Sequence, residues 1–556
     1  MSDIRRSILW VIFGFSLVLL WDKWQVHNGR QPTFFPSSAP VAQQPAAQPK
    51  ADAAVPAPSA ATAPPDAEPT VPRQTFEVRT DLLKLTFDSE GGSLVGADVL
   101  KHAAVTGLTK DSPFEPLTLL TQTPARTYVA QSGLVGGALP THKTPMRLVS
   151  SERELAEGQD ALSVRFESVP VNGVVLVKTY TFKRGAYDAE VRHEVVNQGT
   201  EAVTPQLYLQ LVRDGDESAS KTPFYSTFTG PAVYSEAGKF QKVTFEDIDK
   251  GKTEFQRNAT DGYVAMVQHY FATAWLPVAG GERENFVRKV GALYSVGTML
   301  PVGAVAPGQT QAVSSRLYVG PQEEKKLEAL APGLELVKDY GMLTILAKPL
   351  YWLLEMIHGL VSNWGWAIVL LVVLIKAAFY WLNANAYKSM AKMKAVNPRV
   401  MELRERLKDN PQQMQQEMMK IYREEKVNPL GGCLPILVQM PVFIALYWVL
   451  LSSVEMRNAP WLAWITDLST PDPFYILPLI MTLTTVFQTA LNPLPPDPMQ
   501  AKMMWIMPLV FSVMFFFFPA GLVLYWITNN TLTIAQQAYI NNKMGVPVKF
   551  TLPKFK

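Results

Sequence analysis

Cysteine, clustered histidine and charge are all scarce in this chain. A single cysteine, Cys433, stands among 556 residues, so no intrachain disulfide can form. It lies in the apolar stretch GGCLPIL, where a buried, inert thiol is the ordinary expectation. The six histidines are His27, His102, His142, His193, His269 and His358. None lies at metal-ligand spacing from another. No Walker-type phosphate loop occurs, which argues against work driven by bound nucleotide. No metal or other cofactor is therefore expected. Charged residues make up 18% of the chain, against about 25% in ordinary soluble proteins. The net charge of +3 offers no general attraction for nucleic acid.

What the chain has instead is apolar residues, 48% of the total, gathered in blocks. Residues 8–21 are apolar and follow Arg5 and Arg6, with Trp21 and Trp24 at the far end. A cleaved signal peptide is the rival reading. No small-residue cleavage site follows, so residues 1–30 are expected to form an uncleaved anchor with its N-terminus in the cytoplasm. Residues 31–72 are rich in Pro, Ala and Gln and read as an extended linker. From 73 to 320 the pattern becomes short alternating runs broken by Gly, Pro, Asn and Asp. Leu83, Leu85 and Phe87 form one run, Val174, Leu176, Lys178, Tyr180 and Phe182 another, Leu207, Leu209 and Leu211 a third. Such runs predict an antiparallel all-β sandwich, placed outside the cytoplasm by the anchor before it.

Residues 321–338 read as a charged helix. In residues 342–362, Leu346, Leu350, Leu353, Ile357 and Leu360 share one helical face, and Lys348, Glu355 and Ser362 another. That pattern predicts a helix lying in the membrane surface. Five further apolar stretches follow at 366–382, 433–451, 474–491, 503–518 and 522–540, each near spanning length except the somewhat short 503–518. Between the first two, residues 383–428 are basic and read as a helical hairpin turning at Asp409, Asn410 and Pro411. Basic segments stay in the cytoplasm. Only if 342–362 lies flat do this hairpin and the tail at 542–556 both fall there. Six spans are expected, with both termini cytoplasmic.

Lys376 interrupts WAIVLLVVLIKAAFYWL. A charge inside a span usually faces protein or a water-filled cavity and serves function. The bland alternative is snorkelling, since the cytoplasmic end of the stretch is roughly 9 Å away. Gln439, then Thr482, Thr484, Thr485 and Gln488, then Thr528, Asn529, Asn530, Thr531 and Thr533 are polar residues in other spans. Each alone could serve interhelical hydrogen bonding. Together with one lysine they predict a hydrated groove, lined by Gln439, Thr485, Gln488, Asn529 and Asn530. Met390, Met393, Met401, Met414, Met418 and Met419 either adapt to varied apolar partners or pack the seam of the hairpin, the second reading being slightly favoured. The short 503–518 stretch, about 24 Å long, fits local thinning of the bilayer.

The segments NWGWAIVLLVVLIK, YKSMAKMKAVNPRVMELRERLKDN, QEMMKIYREEKVNPLGGCLPILVQMPVFIALYWVL, DPFYILPLIM and FPAGLVLYWITNN closely resemble the YidC/Oxa/Alb family of membrane protein insertases. The linker and large external domain match the Gram-negative type in layout. The resemblance implies a membrane α-helical protein of six spans with a five-helix insertase core, plus an all-β periplasmic sandwich related to sugar-mutarotase folds. It implies a groove open to cytoplasm and lipid but closed to the periplasm. Nascent membrane proteins, the ribosome, the Sec translocon and the inner-membrane bilayer are the implied partners. The family's groove charge is often arginine. Lys376 keeps the charge but not bidentate pairing. Val372 is apolar where some relatives carry a hydroxyl. Client contact falls to Tyr525 and Trp526, the family's aromatic pair, and to Met503 and Phe511. Recruitment at the cytoplasmic face falls to Lys388, Lys392, Arg399, Arg404 and Arg406. Two other classes compete. A solute transporter predicts an internal repeat of broken helices, which the sequence lacks. An enzymatic β domain would need acid–base residues, and His193 and Glu194 read instead as solvated strand positions.

Overall fold

Period-two alternation becomes strand wherever it was read. Leu83, Leu85 and Phe87 all point into the core from the strand Leu83–Asp88. So do Leu207, Leu209 and Leu211 from Gln206–Asp214, and Val174, Leu176, Lys178, Tyr180 and Phe182 from Val174–Lys183. In this computed structural model the described residues are 73–108, 112–217, 227–407, 410–425, 434–492 and 498–545. The expected anchor, the linker, Cys433 and the tail beyond Gly545 lie outside them.

The described chain divides into a β unit that ends at Asp339 and a helical unit from Tyr340 onward, which also takes in residues 106–108 and 112. The β unit is two nine-stranded sheets. The first runs, edge to edge, Thr75–Arg79, Leu83–Asp88, Ser93–Ala103, Pro116–Gln122, Thr127–Val135, Gln206–Asp214, Leu293–Pro301, Arg283–Val290, Asn258–Ala259. The second runs Lys239–Lys242, Gly230–Ser235, Tyr263–Val267, Phe271–Pro277, Thr310–Pro321, Asp188–Asn197, Val174–Lys183, Ala161–Ser168, Met146–Leu148. Neighbours pair antiparallel, as Leu209 with Thr298 and Ser132 in the centre of the first sheet. Tyr128 bridges the sheets, its hydroxyl donating to the Met266 carbonyl at 3.1 Å.

The helical unit consists of α1 (Thr344–Val361), α2 (Trp364–Ala378), α3 (Tyr380–Arg406), α4 (Pro411–Glu424), α5 (Leu434–Ser452), α6 (Ile476–Leu491), α7 (Pro498–Met514) and α8 (Ala520–Lys543). One apolar core joins Tyr351 and Leu354 of α1, Ile368 and Leu371 of α2, Leu446 and Val449 of α5, Met481 of α6 and Leu522 to Tyr525 of α8. The stripe of α1 that packs inward is Ala347, Tyr351, Leu354 and Ile357, rotated from the face read in the sequence. Small Ala347 and the Tyr351 hydroxyl, which donates to Glu455 at 2.7 Å, decide the rotation. Ile345, Leu346, Trp352, Met356 and Leu360 are left on the outside.

The stretch read as one span over 366–382 is broken. Helix α2 ends at Ala378, Phe379 leaves helical geometry at φ −91°, ψ 11°, and α3 departs at 68°. The first arm of the hairpin therefore begins at Tyr380, three residues before the basic stretch read from 383, and Lys376 sits in the last turn of α2. By length and composition no single described helix crosses a membrane, whereas α2 with the start of α3 passes as a bent pair. Helix α6 has 16 residues, about 24 Å against a hydrocarbon core of about 30 Å.

Candidate functional site

Helix α8 carries amides and hydroxyls at positions three, four and seven apart, and the 3.6-residue repeat turns them toward different neighbours. On one side, Lys376 Nζ donates to Thr533 Oγ1 at 2.8 Å, and Gln439 Nε2 of α5 donates to Asn529 Oδ1 at 2.5 Å. On the other, Asn530 Nδ2 donates to Thr485 Oγ1 at 3.0 Å and Thr484 Oγ1 at 3.3 Å on α6. Gln537 Nε2 reaches Asn492 Oδ1 at 3.2 Å. Gln488 lies half-buried on α6, and the seam runs through Thr484 and Thr485 instead. The structure thus brings together Lys376, Gln439, Thr485, Asn529 and Asn530 around one helix. Thr533, absent from the expected lining, is the residue that holds the lysine.

Lys376 is 8% exposed. No aspartate or glutamate occurs in α2, α5, α6, α7 or α8, so its charge is met by neutral oxygen. The space beside it, lined by Phe379, Leu382, Asn383, Gln439 and Val442, is about 10 Å³, at the lower limit for a single water. The sequence predicts a hydrated groove; here its polar groups close on one another, because buried amides and hydroxyls otherwise go unpaired. Snorkelling along the remaining turn is not what the side chain does: its ammonium turns to α8.

The opposite end of the unit is plugged by residues 453–475. Asp472 is buried and accepts from the amides of Phe474 at 2.9 Å and Leu477 at 2.7 Å and from the Trp464 indole at 3.0 Å, which starts α6 as an N-terminal cap does. The turn into α8 hydrogen-bonds the same loop, Ala520 N to Thr470 O at 2.7 Å and Gly521 N to Leu468 O at 2.9 Å. Trp461 lies flat on Gly365, where an added Cβ would stand 2.2 Å from the indole. A Gly365→Ala chain should therefore melt lower in detergent by several degrees, in line with ~1–3 kcal/mol for overpacking. An unchanged midpoint by thermal scanning would show that the loop yields.

Outside, α7 exposes Ile506, Met507, Val510, Phe511 and Val513. Of the expected client contacts, Phe511 is on this face and Met503 is half-buried. Tyr525 is buried against Phe443, and Trp526 packs edge-on against Phe443 at 4.6 Å and on Phe515 at 5.1 Å. In the hairpin, Val396 and Val400 of α3 pack with Met393, Met418, Ile421 and Tyr422, so Met393 and Met418 form seam while Met401 and Met419 are exposed. Lys388, Lys392, Arg399 and Arg406 are exposed and Arg404 is half-buried. Arg399 pairs with Glu425 at 2.6 Å, closing the two arms.

The β unit buries a lysine completely. Lys178 is fully buried and donates to the carbonyls of Gly91 at 2.6 Å and Ser132 at 2.7 Å. His193, its cross-strand partner, is also buried, with one ring nitrogen 2.9 Å from Ser132 Oγ. This corrects the reading of His193 as solvated; Glu194, on the other face, is half-buried and pairs with Arg192 at 3.3 Å. Burial pushes the Lys178 ammonium down to about 7. Burial and then the Lys178 charge hold His193 well below its usual range. Among the described residues, no group of three or more candidate ligands could hold a metal ion.

A β-sandwich followed by an apolar-skinned helical unit with one internal polar seam and a basic hairpin is the build of a membrane protein with a large domain outside the bilayer. The YidC periplasmic domain family matches residues 75–353 and the 60Kd inner membrane protein family matches residues 356–546. The membrane protein insertase YidC of Cupriavidus metallidurans is 54% identical over 555 residues, 98% of each chain. That of Janthinobacterium sp. (strain Marseille) is 51% identical over 98% of this chain and 100% of its own. A crystal structure of an active YidC insertase with its first transmembrane domain resolved shares 19% identity over 83% of this chain and 91% of that one, with a TM-score of 0.37. A putative aldose 1-epimerase from Escherichia coli K12 covers 44% of this chain and 99% of its own at 12% identity, with a TM-score of 0.26. The chain belongs to the YidC family of membrane protein insertases.

Proposed function

We propose that this insertase moves nascent inner-membrane proteins from the cytoplasm into the bilayer of a Gram-negative cell along the Lys376 seam, alone or beside the Sec translocon. The observation that carries this reading is a lone ammonium set among amides and hydroxyls, with no carboxylate on the helices around it. Such a charge is left to be met by a client's acidic or polar tail, whose attraction the low local dielectric strengthens. Both termini are cytoplasmic, α1 lies in the membrane surface, and the ribosome delivers clients to the basic hairpin, whose exposed Lys388, Lys392, Arg399 and Arg406 support that role.

The tail enters as the seam parts, so its backbone groups cross less hydrocarbon. The short helices thin the bilayer around the path. The apolar segment then passes along the exposed face of α7 into lipid, driven by about 25 cal/mol per Å² of buried apolar surface. Loop 453–475 closes the far end, which favours an insertase over a pore. A photocrosslinker in place of Asn383 or Trp526, with Lys376 kept, should trap a stalled nascent membrane protein. Adducts from Met401 on the hairpin with none from either of these positions would place the path elsewhere.

A further inference from the structure

The Thr533 hydroxyl donates its one proton to the Asn529 carbonyl, 2.7 Å away and one turn back, and accepts from Lys376 Nζ at 2.8 Å. Lys376 comes from the last turn of α2, just before the 68° bend at Phe379, and Thr533 from α8. Gln536 of α8 adds a contact at 3.5 Å to the Tyr380 carbonyl, the first residue of α3. The first arm of the hairpin is thus fastened to the same turn of α8 that holds the ammonium.

We propose that Thr533 is a positioning residue that latches Lys376 in a closed seam. This rests on the reading of Lys376 as the charge that meets the client. With the latch made, the ammonium is 8% exposed beside a space of about 10 Å³, too small for a polypeptide. When the latch opens, the lysine turns toward the side where Asn383 and Gln439 line the space. A resting insertase is kept from offering a bare charge to lipid or ions.

The test reads opening of the seam without requiring insertion. In full-length protein carrying Cys433→Ser and Asn383→Cys, in nanodiscs of phosphatidylethanolamine and phosphatidylglycerol, a membrane-impermeant maleimide reports access to the pocket. The parent should label slowly. Thr533→Val, of the same shape without the hydroxyl, should label about tenfold faster, as loss of a charge-assisted hydrogen bond implies. Thr533→Ser should keep the parental rate. In a Lys376→Met background Thr533→Val should add nothing, since the coupling runs through the ammonium. Equal rates for parent and Thr533→Val overturn the latch, as does a Thr533→Ser chain as fast as Thr533→Val. Insertion of an acidic-tailed client by Lys376→Met, measured in parallel, bears on the role of the charge alone, so the two failures are told apart.

Discussion

Insertion of a client with an acidic translocated tail is expected to fall at least a hundredfold, about 3 kcal/mol, in a Lys376→Glu chain. Lys376 is buried, and its one described hydrogen-bonding partner is the neutral Thr533 hydroxyl. No carboxylate on α2 or α5 to α8 offsets it. Reversing the sign turns attraction into repulsion at the same place. Two charges 4 Å apart interact by about 4 kcal/mol at the effective dielectric of a protein surface, and a change of sign counts twice. Lys376→Arg should insert near normally, and Lys376→Met should fall between. A client whose tail is neutral should lose little in any of them, which separates charge from packing. Protease protection of the tail in a strain depleted of its own insertase measures all four. Full complementation by Lys376→Glu with the acidic tail would end the proposed charge role.

The β domain and the hairpin were readable because their signals are local. Alternating Leu83, Leu85 and Phe87 can bury one face only as strand, and Asn410 caps α4 by accepting from the Gln413 amide at 3.3 Å, with Pro411 at its first position. The break at Phe379 was not readable. No Pro or Gly marks it, and the flanking residues AAFYWLNA are as helical as their neighbours; only the tertiary fastening of α3 to α8 requires it. The candidate lining was legible as a set of polar residues, but not as pairs. Which of Thr485 and Gln488 meets Asn530 depends on the rotation of α6 against α8, which periodicity leaves free. Lys178 lay in plain view, in register with four inward-facing apolar residues. Its polar type suggested the surface, while its position in the alternation placed it in the core.

That position gives the β-sandwich an expected rise in stability with pH. In the unfolded chain the Lys178 ammonium titrates near 10.5, and in the fold burial brings it down to about 7. Between those values the unfolded state binds the proton and the folded state does not, so alkalinity favours the fold. Below about 7 both states carry it, and the fold bears the whole penalty of an ammonium in a dry core, on the order of 5 kcal/mol. His193 acts in the same direction at lower pH, because its folded value lies well below 6.5. The surrounding groups do not reverse the trend below about pH 9, where the buried Tyr180 and Tyr208, raised by burial, are still neutral in both the folded and the unfolded chain. Tyr180, Tyr208 and Trp275 are neutral there, as is the Ser132 hydroxyl, His142 contacts the Tyr208 hydroxyl at 2.6 Å, and Arg288, beside Tyr208, is a further cation. Far-UV dichroism of the full chain in detergent should therefore show the β transition moving to higher temperature from about pH 6 to about pH 9, below the ionisation of the unfolded tyrosines. Lys178→Met, which keeps the length and discards the charge, should raise the midpoint at pH 7 and flatten the slope above it, since a buried charge without a counter-ion is often better replaced by an apolar side chain. Equal slopes for the two chains would mean that the ammonium is solvated where the structure buries it.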